Sequence, residues 1–245
     1  MLISMPCGSR FRRKDSGYKA TEVWTLSEYR KNFDIITPTQ PDLNYPEIND
    51  GILQAAVDTD ACAYSYKGIR EDGTIAIGAY MGCSDTKNIN KYLLPALDII
   101  RDMGIKYDLT VYGVGNMVNH QTFINAMREY TIYYGQITPC GNYSVADLEA
   151  ISTGVPTILG ITDEAIMRAG HIKDYGAPFI KAHSVDDVAL AIRNIAFGKK
   201  DIAAISREGR DYAVKWHSHK AVAQRAEEVI AGARERRRKR KNART

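Results

Sequence analysis

Ser144, Glu149 and Lys87 together offer the donors and the acceptor that a phosphorylated, hydroxylated small molecule requires. Ser144 follows the turn Gly141-Asn142-Tyr143 and stands where a helix N-cap belongs, with Asp147 three residues on to complete a capping-box-like pair. A short polar loop feeding a helix N-terminus presents backbone N–H groups and a positive dipole end, which is a seat for phosphate. Asn142, Tyr143 and Ser144 add amide and hydroxyl donors; Ser144 also reads as a simple cap, and the two roles are compatible. Glu149 lies a turn further in, where a carboxylate accepts hydrogen bonds from a pair of sugar hydroxyls, or is merely a surface residue of an amphipathic helix. Lys87 follows a strand at the start of a helix, a point charge aimed at a pyrophosphate or a solvated lysine. Gly113 and Gly115 permit close backbone approach to a ligand, although turn-making alone also accounts for a lone GxG.

These residues need a scaffold of alternating strands and helices, and the sequence supplies one. Thr74 to Tyr80 reads as a buried strand, Ile89 to Met103 as an amphipathic helix stopped by Gly104, and Asp108 to Tyr112 as the next strand. A helix over Phe123 to Glu129 and a strand over Thr131 to Ile137 lead into the Ser144 helix, which Gly154 stops before the strand Val155 to Leu159. Thr162 to Ala169, Pro178 to Ile180 and Val185 to Phe197 continue as helix, strand and helix, and Ile202 to Ile230 as one or two helices. This rhythm predicts an α/β fold with a parallel sheet and right-handed crossovers. Upstream, Leu2 to Met5 and Phe33 to Thr37 read as short strands, residues 8–18 as a basic loop, Thr21 to Asn32 as a helix, and Ile52 to Ala61 as helical. The expected division is an abbreviated N-terminal region (1–73), a Rossmann-like domain (74–231) and a disordered basic tail (232–245).

The run Leu148-Glu149-Ala150-Ile151-Ser152-Thr153-Gly154-Val155-Pro156-Thr157-Ile158 resembles the LEAMAxGxPVI signature of GT-B glycosyltransferases, and residues 74–231 resemble their C-terminal, donor-binding half nearly end to end. The retaining, group-1-like branch carries two glutamates eight positions apart; the second matches Glu149 and the first falls on Gly141. Lys87-Asn88 matches the end of the family's GRLxxEKN loop, whose arginine position falls near Gly82. Tyr112-Gly113-Val114-Gly115-Asn116 is similar to its VGxGP loop, and Trp216-His217-Ser218-His219 to its terminal FSWxxxA segment. One strand and helix usual in the family are missing between Asn116 and Tyr133. The resemblance implies a nucleoside-diphosphate sugar, a UDP-sugar above others, as donor substrate, with no bound metal and no further cofactor. It also implies an acceptor side that is abbreviated here or supplied by another chain. A catalytic base is not assigned; Asp15 lies beside the basic loop.

Composition sets the remaining bounds. The chain is 44% hydrophobic and 25% charged, ordinary for a protein with a packed core, and no run approaches the ~18 apolar residues that span a bilayer. Cys7, Cys62, Cys83 and Cys140 are scattered without a CxxC pair, and the first residues place charge after the apolar stretch, the reverse of a secretory signal. A cytoplasmic setting is therefore expected. The five histidines show no metal-ligand spacing, so packing or surface roles are expected for them. The net charge of +4 divides into +7 over residues 232–245 and −3 over the rest. Arg236, Arg237, Arg238, Lys239, Arg240 and Lys241 in the tail, with Arg10, Arg12, Arg13 and Lys14 near the N-terminus, suit a polyanionic partner such as DNA. An anionic membrane surface ranks below it, and a solubility tail is the bland alternative. A hydroxylated base in DNA is then one acceptor that fits; a lipid-linked or envelope saccharide is another. A non-catalytic donor-binding or assembly subunit is a third reading.

Overall fold

A computed structural model describes residues 3–4, 35–39, 50–81, 85, 87–113, 115–138, 141–169, 176 and 178–242. The cluster Arg10, Arg12, Arg13 and Lys14, the helix expected over 21–32, Asp15 and residue 82 lie outside the described residues, as do the side chains of Arg240 and Lys241.

The chain forms a five-stranded, wholly parallel sheet in the order β4-β3-β5-β6-β7: β3 (Ile75–Tyr80), β4 (Tyr107–Tyr112), β5 (Ile132–Tyr134), β6 (Thr157–Leu159) and β7 (Ile180–Lys181). Near the N-terminus β1 (Ile3–Ser4) pairs in parallel with β2 (Ile35–Ile36). Ile75 to Ala79 are all buried, the continuous apolar run of a parallel strand covered on both faces.

A π-helical turn (Ile89–Leu93) runs into α1 (Leu94–Asp102); then come α2 (His120–Met127), α3 (Val145–Ser152), α4 (Asp163–Arg168), α5 (Val185–Ala196), α6 (Ile202–His217) and α7 (His219–Asn242). Leu97 and Ile100 of α1 and Val188, Ile192 and Ile195 of α5 cover one face of the sheet. On the other face α3 and α6 bury Leu148, Ile151, Tyr212 and Ala213, while α2 adds Phe123, Ile124 and Met127. Two covered faces make the α/β, Rossmann-like architecture that the alternation predicts.

Local chemistry sets the helix ends. Asn119, Ser144, Thr162, Ser184 and Asp201 each accept a backbone N–H at an N-terminus. Helix α3 ends at Gly154 (φ 88°), where the Val155 N–H reaches the Ala150 carbonyl (3.0 Å) and the Gly154 N–H reaches that of Ile151 (3.0 Å). That pair of bonds closes the helix through a left-handed residue.

Two expectations differ from the structure. Residues 52–61 are not helical. They run extended, with Val57 bridged to Ser218, and then turn where the Asp58 carboxylate accepts the N–H groups of Asp60 and Ala61. This segment packs on the C-terminal helices, and an aspartate that caps a turn competes with helix. Residues 232–242 are the final turns of α7 rather than a disordered tail. Val229 and Ala233 bury against Ile35, Arg236 reaches the carbonyl and carboxylate of Asp50, and Lys239 pairs with Glu235 one turn back. Among the described residues no helix is long and apolar enough to cross a membrane.

Candidate functional site

The sheet order places a reversal between β3 and β5: the chain leaves β3 for β4 on one side and returns past β3 to β5 on the other. In open parallel sheets, ligand crevices lie outside the carboxyl ends of the strands at such a reversal. The loops leaving β3 and β5 carry Lys87 and, among the described residues, 135–138 and 141–144 to that position.

Hydrogen bonds between the two loops fix them. The Tyr134 hydroxyl donates to the Lys87 and Asn88 carbonyls (3.1 and 3.2 Å), and the Asn88 amide donates to the Ile137 carbonyl (2.6 Å). Gly135 is required here: a Cβ would stand 2.2 Å from Leu159 Cδ2 and 2.7 Å from Asp147 Oδ1. The absent side chain lets the first turn of α3 settle directly on the end of β5.

The capping box forms as its spacing predicts. The Ser144 N–H donates to Asp147 Oδ2 (2.6 Å), and the Asp147 N–H donates to the Ser144 hydroxyl (3.4 Å). Below it, Lys87 Nζ donates to Ser144 Oγ and to Asp147 Oδ1, both at 2.9 Å. The lysine and aspartate side chains are 6% and 0% exposed. Lys87 also lies over the Tyr133 ring, 5.5 Å from its centroid. An ammonium has three donors. Two of these are committed, so Lys87 is a clamp on the cap and not the outward-facing cation that a direct pyrophosphate ligand needs. Asp147 balances its charge within the first turn of α3.

Glu149 is 7% exposed and its Oε1 lies 2.6 Å from Nε2 of His120. Burial pushes its carboxyl upward, and the hydrogen bond and charge of His120 act against that. The His120 side chain, 66% exposed, opens the pair to solvent. Glu149 therefore sits at the edge of the interior with its carboxylate turned to the surface side.

Tyr143 points elsewhere. Its hydroxyl meets Gln54 and lies 3.3 Å from His217 Nε2, and its ring packs on Phe179. The hydroxyl serves the packing between the α3 loop and the C-terminal helices, which corrects its expected role as a ligand donor. Asn142 is buried beside it. Gly113 (φ 130°) and Gly115 (φ 81°) flank a tight turn closed by two backbone bonds between Gly113 and Asn116 (3.2 and 2.9 Å). That turn ends β4 and leads to Asn119, the cap of α2.

The structure thus gathers Lys87, Ser144 and Glu149 around α3, places the Gly113–Gly115 turn on the neighbouring strand, and turns Tyr143 inward. Sequence reading missed His120 as the partner of Glu149; its position just after the N-cap Asn119 was the available signal. It also missed Tyr133, whose buried hydroxyl has no hydrogen-bond partner beneath the site.

No protein-family model matches the sequence, and no curated protein does. Solved structures do. HepE of Anabaena, solved with UDP and glucose, is 10% identical with a TM-score of 0.56, and the match covers 85% of this chain and 67% of that one. TarM is 11% identical at 0.60, covering 90% and 48%. The pneumococcal O-GlcNAc transferase GtfA, solved with UDP and GlcNAc, is 11% identical at 0.57, covering 94% and 52%. The chain thus spans about half to two thirds of the length of these proteins. Over the matched residues the chain shares the fold of these structures, the GT-B fold.

Proposed function

We propose that this protein binds a nucleoside-diphosphate sugar, a UDP-sugar above others, at the amino end of α3 and transfers the sugar to a hydroxyl acceptor. The observation that carries the reading is the placement of the Ser144 cap and Glu149 together at the carboxyl end of the β3/β5 reversal. The α3 amides and the dipole of that helix would receive the diphosphate, with Lys87 holding the Ser144 cap in place from below. Glu149 would accept the ribose hydroxyls, and the Gly113–Gly115 turn would flank the base. In sugar transfer, fixed dipoles and cations that stabilise the leaving diphosphate lower the barrier. HepE and GtfA, solved with UDP and glucose and with UDP and GlcNAc, support UDP as the first nucleotide to test.

For the acceptor, the reading follows charge. Arg236, Arg237, Arg238 and Lys239 line the last described turns of α7 and favour a polyanion, of which DNA bearing a hydroxylated base is the candidate with a transferable hydroxyl. A second reading, a donor-binding subunit that transfers nothing by itself, rests on two specific features. Gly141 stands where the resemblance would put the first glutamate, and Lys87 is committed to Asp147.

Thermal stabilisation by UDP and UDP-sugars tests the donor site, and Glu149→Ala should abolish it. No stabilisation by any nucleotide or nucleotide sugar would overturn the reading. Transfer of labelled sugar to hydroxymethylated DNA, measured beside hydrolysis of the donor, separates the two readings. Donor binding without either product favours the subunit.

A further inference from the structure

A cavity of about 220 Å³ lies away from α3, where the extended segment at residues 52–54 meets the corner between α6 and α7. Ile52, Gln54, Lys215, Trp216, Arg225 and Glu228 are among its walls. It is smaller than the roughly 300 Å³ at which sites for drug-sized ligands begin, and it would hold about seven waters. A monosaccharide is the scale of organic ligand that fits.

The polar groups of this wall are unevenly satisfied. Arg225 Nη1 donates to Glu228 Oε2 (2.8 Å), but Arg225 Nε is buried with no acceptor. The Gln54 side chain touches the Tyr143 hydroxyl through one end of its amide, and the other end is buried without a partner. Whichever way that amide is turned, one polar atom is left over. Buried polar groups are rarely left unpaired, because an unmade hydrogen bond away from water is costly. The wall therefore asks for one acceptor at Arg225 and for a group that can give or take a hydrogen bond at Gln54. A hydroxyl meets the second demand and an oxyanion the first.

Charge and surface agree. Lys215 and Arg225 outnumber Glu228 in the wall, and Glu228 is already engaged by Arg225. Lys215 Nζ lies 4.8 Å from the centroid of the Trp216 ring, so cation and aromatic surface stand together. Indole rings pack against the apolar faces of sugar rings, and an ammonium at the rim attracts an anion.

We infer that this cavity is a binding site for a small anionic saccharide, a hexose-sized ring carrying a carboxylate or phosphate, with Arg225 and Lys215 on the oxyanion and Gln54 on a ring hydroxyl. The site shares no lining residue with the donor residues at α3, although Gln54 touches Tyr143 beside the Ser144 cap.

Fluorescence of Trp216, isolated by Trp24→Phe, reports on the wall directly. The titrants are glucose 6-phosphate, glucuronate, glucose and inorganic phosphate. Saturable quenching by glucose 6-phosphate or glucuronate at millimolar concentration or below is expected, and which of the two binds tighter distinguishes phosphate from carboxylate. Glucose and inorganic phosphate, each offering half of the required chemistry, should bind at least tenfold more weakly. Arg225→Ala should weaken binding at least tenfold. Glu228→Gln, which removes the competing negative charge and releases Arg225, should tighten it several-fold, a gain that damage to the fold would not produce. Absence of quenching by both sugar anions, equal binding of free phosphate, or an unchanged response in Arg225→Ala and Glu228→Gln would each overturn the inference. Parallel titration with UDP, followed by thermal stabilisation, should be unaffected by Arg225→Ala, so failure here and failure at α3 are separately visible.

Discussion

Glu149 Oε1 and His120 Nε2, from residues 29 apart in sequence, meet at 2.6 Å and tie the second turn of α3 to the first residue of α2. The contact holds a mostly buried carboxylate against a histidine side chain that is itself largely exposed. Under the proposed donor site, His120 is the competitor that a ribose would displace or share.

From that competition comes the first prediction. Burial is the leading influence on Glu149 and raises its carboxyl above the ordinary 4.5. A group raised on folding binds its proton more tightly in the native state, so the stability it contributes falls as pH rises through the folded pKa. Glu149→Gln does not titrate and keeps the shape. Its stability relative to the wild type should therefore grow as pH is raised from 4.5, measured by urea unfolding across pH. The same variant should bind UDP about tenfold more weakly, having lost a charge-assisted acceptor. A wild type that gains on the variant as pH rises would contradict the burial argument.

The Lys87–Asp147 pair gives a second prediction, this time about stability. Removing one partner of an ion pair this deeply buried leaves the other charge uncompensated, at about 3–5 kcal/mol. Lys87→Met and Asp147→Leu should each show that loss in urea. The double variant should recover a large part of it, because no charge is then stranded. Additive losses in the double-mutant cycle would mean that the two charges do not depend on each other.

How much of this was legible differs residue by residue. The Ser144 cap, Asp147 three residues later and the Gly154 stop were readable because they act within one helix, where spacing fixes geometry. The parallel sheet was readable from the alternation of apolar runs with helical periods. Spacing puts Lys87 on the loop after a strand but cannot give its contacts, since Asp147 is 60 residues away and only the fold brings it near. His120 was passed over for the same reason. Tyr143 looked like a ligand beside Ser144, yet its ring turns inward because Gln54 and His217, contributed by distant segments, complete its packing. Residues 52–61 carried enough apolar side chains for a helix, and the Asp58 turn with the bridge to Ser218 decided otherwise.

His217 supplies a third prediction. Its Nδ1–H donates to the Ala55 carbonyl (3.0 Å), which leaves the Nε2 lone pair toward the Tyr143 hydroxyl, and burial takes its pKa down from 6.5 to about 4. A histidine buried neutral must be charged on acidification. The stability it contributes is complete above 6.5 and is lost as pH falls toward 4. The loss is of order 3 kcal/mol from the size of that shift. His217→Gln should flatten this acid limb of stability, followed by circular dichroism between neutral pH and about pH 4. Since Tyr143 adjoins the cap at Ser144, acidification should also weaken UDP binding before global unfolding. An acid limb that is unchanged in the variant would assign the effect to other groups.

The cations of α7 divide by what already holds them, and a fourth prediction follows. Arg236 donates to the carbonyl and carboxylate of Asp50 (3.1 and 3.0 Å), whereas Arg238 is exposed on the same helix. Arg236→Ala should cost up to about 1 kcal/mol of stability, the worth of a partly exposed pair, with little change in the salt dependence of DNA binding. Arg238→Ala should leave stability unchanged. If it contacts phosphate, the slope of log K against log salt becomes shallower by about 0.9. Titration of a short duplex by anisotropy at several salt concentrations measures both slopes. Equal and substantial slope changes in the two variants would mean that Arg236 leaves Asp50 when polyanion binds. Salt-independent affinity in the wild type would remove the polyanionic acceptor from consideration and return the choice to a lipid-linked or envelope saccharide.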